Sequence, residues 1–186
     1  QGELIEAILG LRQAAGGELL LDGEDMSDWP VRRRREAGVG YVPEDRQRRG
    51  ILLDAPLWEN AMLGHQTMEP FARGPLLDRR RSREATTRIV KDFDVRTPSI
   101  DTSARALSGG NQQKLVIGRE MAASPRLLIA AHPTRGIDVG AQAAVWEELR
   151  TARRNGLALL LVSADLEELL GLADRLVVML RGRVVA

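Results

Sequence analysis

The stretch Leu107-Ser108-Gly109-Gly110-Asn111-Gln112-Gln113-Lys114 carries more potential chemistry than any other part of this sequence. Two glycines let another group approach the backbone closely, and Ser108 offers a hydroxyl. A helix expected over Gly110 to Ala122 presents its unpaired N–H groups and the positive end of its dipole at the same place. Together these suit an anion, and a phosphate above all. A plain Ser-Gly-Gly helix cap accounts for the same residues, and the four of them alone do not choose between the two. Other reactive groups are sparse. With no cysteine, disulfides, thiolate zinc sites and cysteine nucleophiles are excluded. The two histidines, His65 and His132, leave little for an imidazole-rich metal centre.

The elements that must position this stretch follow from composition and periodicity. The chain has 186 residues, 44% apolar and 28% charged, the balance of a soluble globular domain and not of a disordered chain. Its 27 basic and 26 acidic side chains nearly cancel, at a net charge of +1, which argues against a dedicated nucleic-acid binder. No apolar run approaches the ~20 residues that span a bilayer. The start at Gln1 and the stop inside Val184-Val185-Ala186 read as cuts through structure.

Apolar spacing predicts helices over Glu3 to Leu11, around Leu57 to Leu63, and over Ser82 to Asp94, Gly110 to Ala122, Gly140 to Asn155 and Leu166 to Leu172. A further helix through Ala37 is expected to be capped by Ser27, with the Arg32 to Arg35 run on its solvated face. Short strands are expected at Glu18 to Leu21, Val39 to Val42, Leu127 to Ala130, Leu157 to Val162 and Leu176 to Leu180, the last turning at Arg181-Gly182 into Val184. Residues 43–49 and 64–78 read as loops. Short apolar strands alternating with helices indicate an α/β fold with a parallel sheet covered on both faces. A mostly helical middle, roughly residues 57–124, interrupts that sheet.

The octapeptide resembles the signature motif of ATP-binding-cassette (ABC) ATPases, most closely the LSGGNQQK form of importers of simple sugars and nucleosides. Four more segments match in order. Tyr41-Val42-Pro43-Glu44-Asp45-Arg46 resembles the Q-loop region, with Glu44 in place of the usual glutamine. Leu127 to Asp138, LLIAAHPTRGID, resembles the Walker B strand running into the D-loop, which ends at Asp138. Leu161 to Asp165 resembles the switch region, and Gln1-Gly2-Glu3-Leu4 the tail of a phosphate-binding loop. The resemblance implies one ABC-type nucleotide-binding domain over residues 1–186, truncated at both ends. It implies a P-loop NTPase-like parallel core, an inserted helical subdomain near residues 57–124 and a small antiparallel β element. It also implies ATP with Mg²⁺ as the nucleotide, and a place on the cytoplasmic face of the membrane. The expected partners are a second cassette fused in the same polypeptide, transmembrane permease subunits and, indirectly, an extracytoplasmic substrate-binding protein.

The departures from the family pattern concern mechanism. Gln1 stands where the P-loop lysine would be, and Gly2 where a hydroxyl would ligate Mg²⁺. Ala131 and His132 take the places of the Walker B Asp and Glu, and Ala164 that of the switch histidine. Catalytic side chains and metal ligands are therefore expected to be missing from this face. Ser108, Gly109, Gly110, Asn111 and Gln112 are intact, and with Gln1, Gly2, Glu44 and Asp138 they form the expected ATP-binding set. Because cassettes of this family pair head to tail, the resemblance implies a degenerate second cassette that donates its signature to its partner's ATP site. A structural cassette without nucleotide turnover, or an independent ATPase using His132 as base, are the alternatives.

Overall fold

Val39–Val42 (β3), Leu127–Ala131 (β6) and Ala158–Val162 (β7) are short runs of apolar residues with little alternation, the pattern of strands covered on both faces. In the computed structural model, which describes residues 1–185, they form one parallel sheet in the order β3-β6-β7. Tyr41 pairs with Ile129 and Ala131 with Val162, so all three strands end on one level. Alternate residues of β6 serve the two faces. Leu128 and Ala130 pack with Leu57, Leu115, Ile117, Val145 and Leu149, while Ile129 and Ala131 pack with Ile5, Ile8, Leu9 and Met26.

In chain order, α1 (Gly2–Leu9) leads to a two-residue hairpin, β1 (Leu20–Leu21) with β2 (Glu24–Asp25), then α2 (Val31–Glu36) and β3. After β3 come a helical turn, α3 (Arg46–Arg49), and α4 (Leu57–Ala61). A second hairpin follows, β4 (Ala72–Arg73) with β5 (Leu76–Leu77), and then α5 (Arg79–Asp92) and α6 (Gly109–Ala122). β6, α7 (Val139–Arg154), β7 and α8 (Leu166–Leu172) alternate beyond it, ending in the hairpin of β8 (Met179–Leu180) with β9 (Arg183–Val184). The α/β class, the parallel core and the small antiparallel pieces are thus as expected.

Several local expectations are corrected. Ser27 caps no helix: its Oγ accepts from Leu19 N at 3.0 Å and donates to Asp25 at 2.6 Å, and α2 starts after Pro30. The Arg32 to Arg35 run is not one solvated face. Arg34 is buried and donates to the carbonyls of Ala7, Ile8, Ser27 and Trp29, and Arg35 is paired with the buried Glu120. The loop expected at 43–49 contains α3, because the Asp45 carboxylate accepts from both Gln47 N and Arg48 N. The loop expected at 64–78 contains the β4–β5 hairpin, turning at Gly74 with φ +62°, and Asp78 caps α5 three residues earlier than predicted. Of Glu18 to Leu21 and Leu176 to Leu180, only Leu20–Leu21 and Met179–Leu180 are paired, each to its own hairpin partner. No helix among the described residues is long and apolar enough to cross a membrane.

Candidate functional site

The level at which β3, β6 and β7 end opens into a cleft of about 1360 Å³. Its walls include Gln1, Gly2, Glu44, Ala131, His132 and Val162, so the fold brings five of the twelve site positions singled out in the sequence to one place. Ligands of open parallel sheets bind at this edge. Gln1 is exposed at the start of α1, where its side chain makes no capping bond. Around Gly2 the space is open, since a Cβ there would meet nothing within 4 Å. Ala131 is buried. His132 N donates to Val162 O at 2.7 Å, and a φ of +47° holds this non-glycine residue in the left-handed region at the strand end. The Glu44 carboxylate is engaged by the Arg135 guanidinium. Ala164 is exposed two residues beyond the end of β7.

These groups do not fit a hard divalent cation. Such an ion needs several oxygen ligands, and the end of β6 offers a methyl group and an imidazole, with the neighbouring carboxylate already ion-paired. Among the described residues no cluster of three or more His, Asp or Glu side chains could hold a metal.

The remaining positions gather at two helix starts beside this cleft. Ser108 is exposed and caps α6, its Oγ accepting from Asn111 N at 3.4 Å and Asn111 Nδ2 at 3.0 Å. The N–H groups of Gly109 and Gly110 lie in the first turn, where no carbonyl of the helix reaches them. Asn111 Oδ1 accepts from Arg96 N at 2.8 Å. Gln112 is buried and points inward: Nε2 donates to Ala104 O at 3.0 Å, and Oε1 accepts from Gln47 at 3.3 Å. Asp138 caps α7 by accepting from Ala141 N at 2.9 Å, and that bond holds its carboxyl below the usual carboxylate range. The two helix starts abut, since a Cβ on Gly110 would lie 3.1 Å from Ala141 Cβ and 3.5 Å from Asp138 Oδ2.

Three supporting groups escape a sequence reading. Glu168 is buried on α8 and accepts from Thr134 Oγ1 at 2.7 Å and Trp146 Nε1 at 3.1 Å, tying the 133–138 loop to α7 and α8. Glu120, near the end of α6, accepts from Tyr41 N at 3.1 Å, from Arg35 at 2.8 Å and from Arg119 at 3.0 Å. Arg46 bridges α3 to the same 133–138 loop. A capping pattern signals Asp45 and Asp138, but no spacing signals these long-range partners.

A parallel sheet with a cleft at its strand ends, and beside it an exposed helix start capped by Ser108, define an open α/β domain. The sequence matches the ABC transporter family model over residues 2–135, and the chain belongs to that family. It is 44% identical over 186 residues to the guanosine import ATP-binding protein NupO of Bacillus subtilis (strain 168), covering 100% of this chain and 36% of that protein. It is 42% identical over 183 residues to the ribose import ATP-binding protein RbsA 1 of Rubrobacter xylanophilus, covering 98% of this chain and again 36% of that protein. The chain therefore spans about a third of the length of the curated relatives it matches. The fold is that of the ATP-binding cassette MJ1267 of an ABC transporter in its ADP conformation, with a TM-score of 0.77 at 20% identity, over 100% of this chain and 74% of that one.

Proposed function

We propose that this chain is a nucleotide-binding domain of an importer for a sugar or nucleoside, lying at the cytoplasmic face of the membrane against permease subunits, and that it is the degenerate half of a cassette pair. One contrast carries the reading: the start of α6 keeps its Ser108 cap and the Gly109 and Gly110 N–H groups that suit a phosphate, whereas the cleft at the strand ends is lined by Ala131, His132, Gln1 and Gly2. Residues near 57–124, which include α4, α5 and α6, form the helical subdomain that presents α6.

In this mechanism ATP and its Mg²⁺ would be held by a second cassette carried in the same polypeptide. ATP supplies the phosphoryl group, and this chain's residues orient and stabilise it. Ser108 fixes the first turn of α6, and the N–H groups of Gly109 and Gly110 meet the charge that grows on the transferred phosphoryl oxygens. Asp138, at the adjoining helix start, links the two nucleotide sites. Support comes from family membership and from relatives whose names specify guanosine and ribose import.

Gly109→Asp tests the reading in the assembled importer. A carboxylate at that turn faces the phosphate, and any side chain there meets Gly136 O at 3.1 Å from its Cβ. ATP turnover and transport are expected to fall to background. Turnover at the wild-type rate would instead favour a cassette that only scaffolds the transporter.

A further inference from the structure

Arg46 lines the cleft at the strand ends and reaches from there to the start of α6. It is the first residue of α3, a single turn held in place by the Asp45 cap. Its Nη1 donates to Arg135 O at 2.9 Å and its Nη2 to Gly136 O at 3.1 Å, two successive carbonyls of the loop that leads to Asp138. The same guanidinium lies against the start of α6: a Cβ built on Gly109 would come within 2.7 Å of Nη2. Two further contacts run parallel to it, the Glu44–Arg135 ion pair on one side and Gln47 to Gln112 at 3.3 Å on the other.

The details favour a device that needs a planar fork. Gly136 has φ +69°, a conformation natural to glycine, and so turns its carbonyl toward the arginine. Gly109 leaves the space that the guanidinium fills. Burial lowers the affinity of Arg46 for its proton, and its Nε is enclosed with no acceptor, a penalty that packing alone does not call for. A lysine ammonium is a point charge on a flexible stem and cannot match two carbonyls in this geometry.

We propose that Arg46 is a positioning residue: it fastens the 135–138 loop to the first turn of α6, so that Gly109, Gly110 and Asp138 meet the nucleotide as one rigid surface. The proposal rests on the reading of α6 as the half-site offered to a partner's ATP. Misplacement of this surface by a fraction of an ångström acts on the transition state more than on ATP binding.

The test uses the assembled importer carrying Arg46→Lys or Arg46→Met. Both variants are expected to lose about tenfold to a hundredfold in kcat for ATP, with KM changed by no more than about twofold. Amide hydrogen exchange, followed by mass spectrometry, is expected to quicken together at 108–112 and 134–139 while the rest of the chain keeps its protection. Wild-type turnover in Arg46→Lys overturns the proposal, because a bare positive charge would then suffice. Unchanged exchange in either segment of a folded variant overturns it as well. The outcome separates from the parent reading through Gly109→Asp. If that change leaves turnover intact, the half-site reading fails; if it abolishes turnover while the Arg46 variants run at full rate, only the positioning role fails.

Discussion

Glu120 shows how charge is used away from the cleft. Its carboxylate is 1% exposed and joins α6 to α2 through Arg35, to β3 through Tyr41 N, and to Arg119, which in turn donates to Gly50 O at 2.9 Å and Asn60 O at 3.2 Å. Burial by itself would raise the Glu120 carboxyl, but the Arg119 charge, the nearby His65 ring and Arg35 outweigh it and hold the group well below the usual carboxylate range. The sign of the pH dependence follows. A depressed folded pKa contributes stability that is complete above the unfolded value near ~4.3 and is lost as pH falls through the lower folded value. Between pH 5 and 8 this group should leave stability flat, and its loss should appear only in acid. Glu120→Ala leaves buried guanidinium groups unpaired, at a cost of about 3–5 kcal/mol. Urea denaturation at pH 7 would measure that loss, and the variant's acid-unfolding profile should lack the wild-type contribution. At this scale the sequence was least legible. Four consecutive arginines look alike in the chain, yet the helix turns by about 100° between neighbours, and that rotation sends Arg34 and Arg35 inward.

At the scale of elements, α6 carries the site at one end and the charge network at the other, and its middle is pressed against α5. A Cβ on Gly118 would lie 2.8 Å from the Phe93 ring and 2.9 Å from Ile89 Cγ2, far inside normal contact. Gly118→Ala is therefore expected to force the two helices apart and to cost about 1–3 kcal/mol, despite the better helix propensity of alanine. A thermal melt reads the loss directly. Ser108→Ala removes the cap and should cost about 1 kcal/mol, with a larger effect on turnover than on melting. Helix and strand existence was legible because apolar spacing reports which face is covered. Termini were less so, because rival caps compete locally. Ser27 had the right chemistry for a helix start, but its hydroxyl is committed to Leu19 N and Asp25, and the chain enters α2 through the fixed φ of Pro30. The hairpin at Gly74 has only two paired residues on each side, too few to leave a periodic signal.

Across the whole molecule, the placement of Gln1, Gly2, Glu44, Ala131 and His132 around one cleft was legible in outline, because parallel strands deliver their following loops to a common edge. The contacts joining that cleft to α6 were not, since Arg46 meets partners about ninety positions away. With no carboxylate pair at the end of β6, the chain by itself is expected to show no Mg²⁺-dependent ATP hydrolysis. Phosphate release measured from the purified chain checks this, and sustained release abolished by His132→Ala would reverse the assignment of a degenerate half. The same sheet sets a solution property of the lone chain. Among the described residues β7 pairs only with β6, so its outer side offers a row of free N–H and C=O groups, with Leu159, Leu160 and Leu161 only partly covered. Such an edge is a template for any other extended strand, including one from a second molecule. Sedimentation of the purified chain should therefore reveal species that grow with concentration, and a five-residue strand, more than the balanced surface charge, would limit how concentrated it can become.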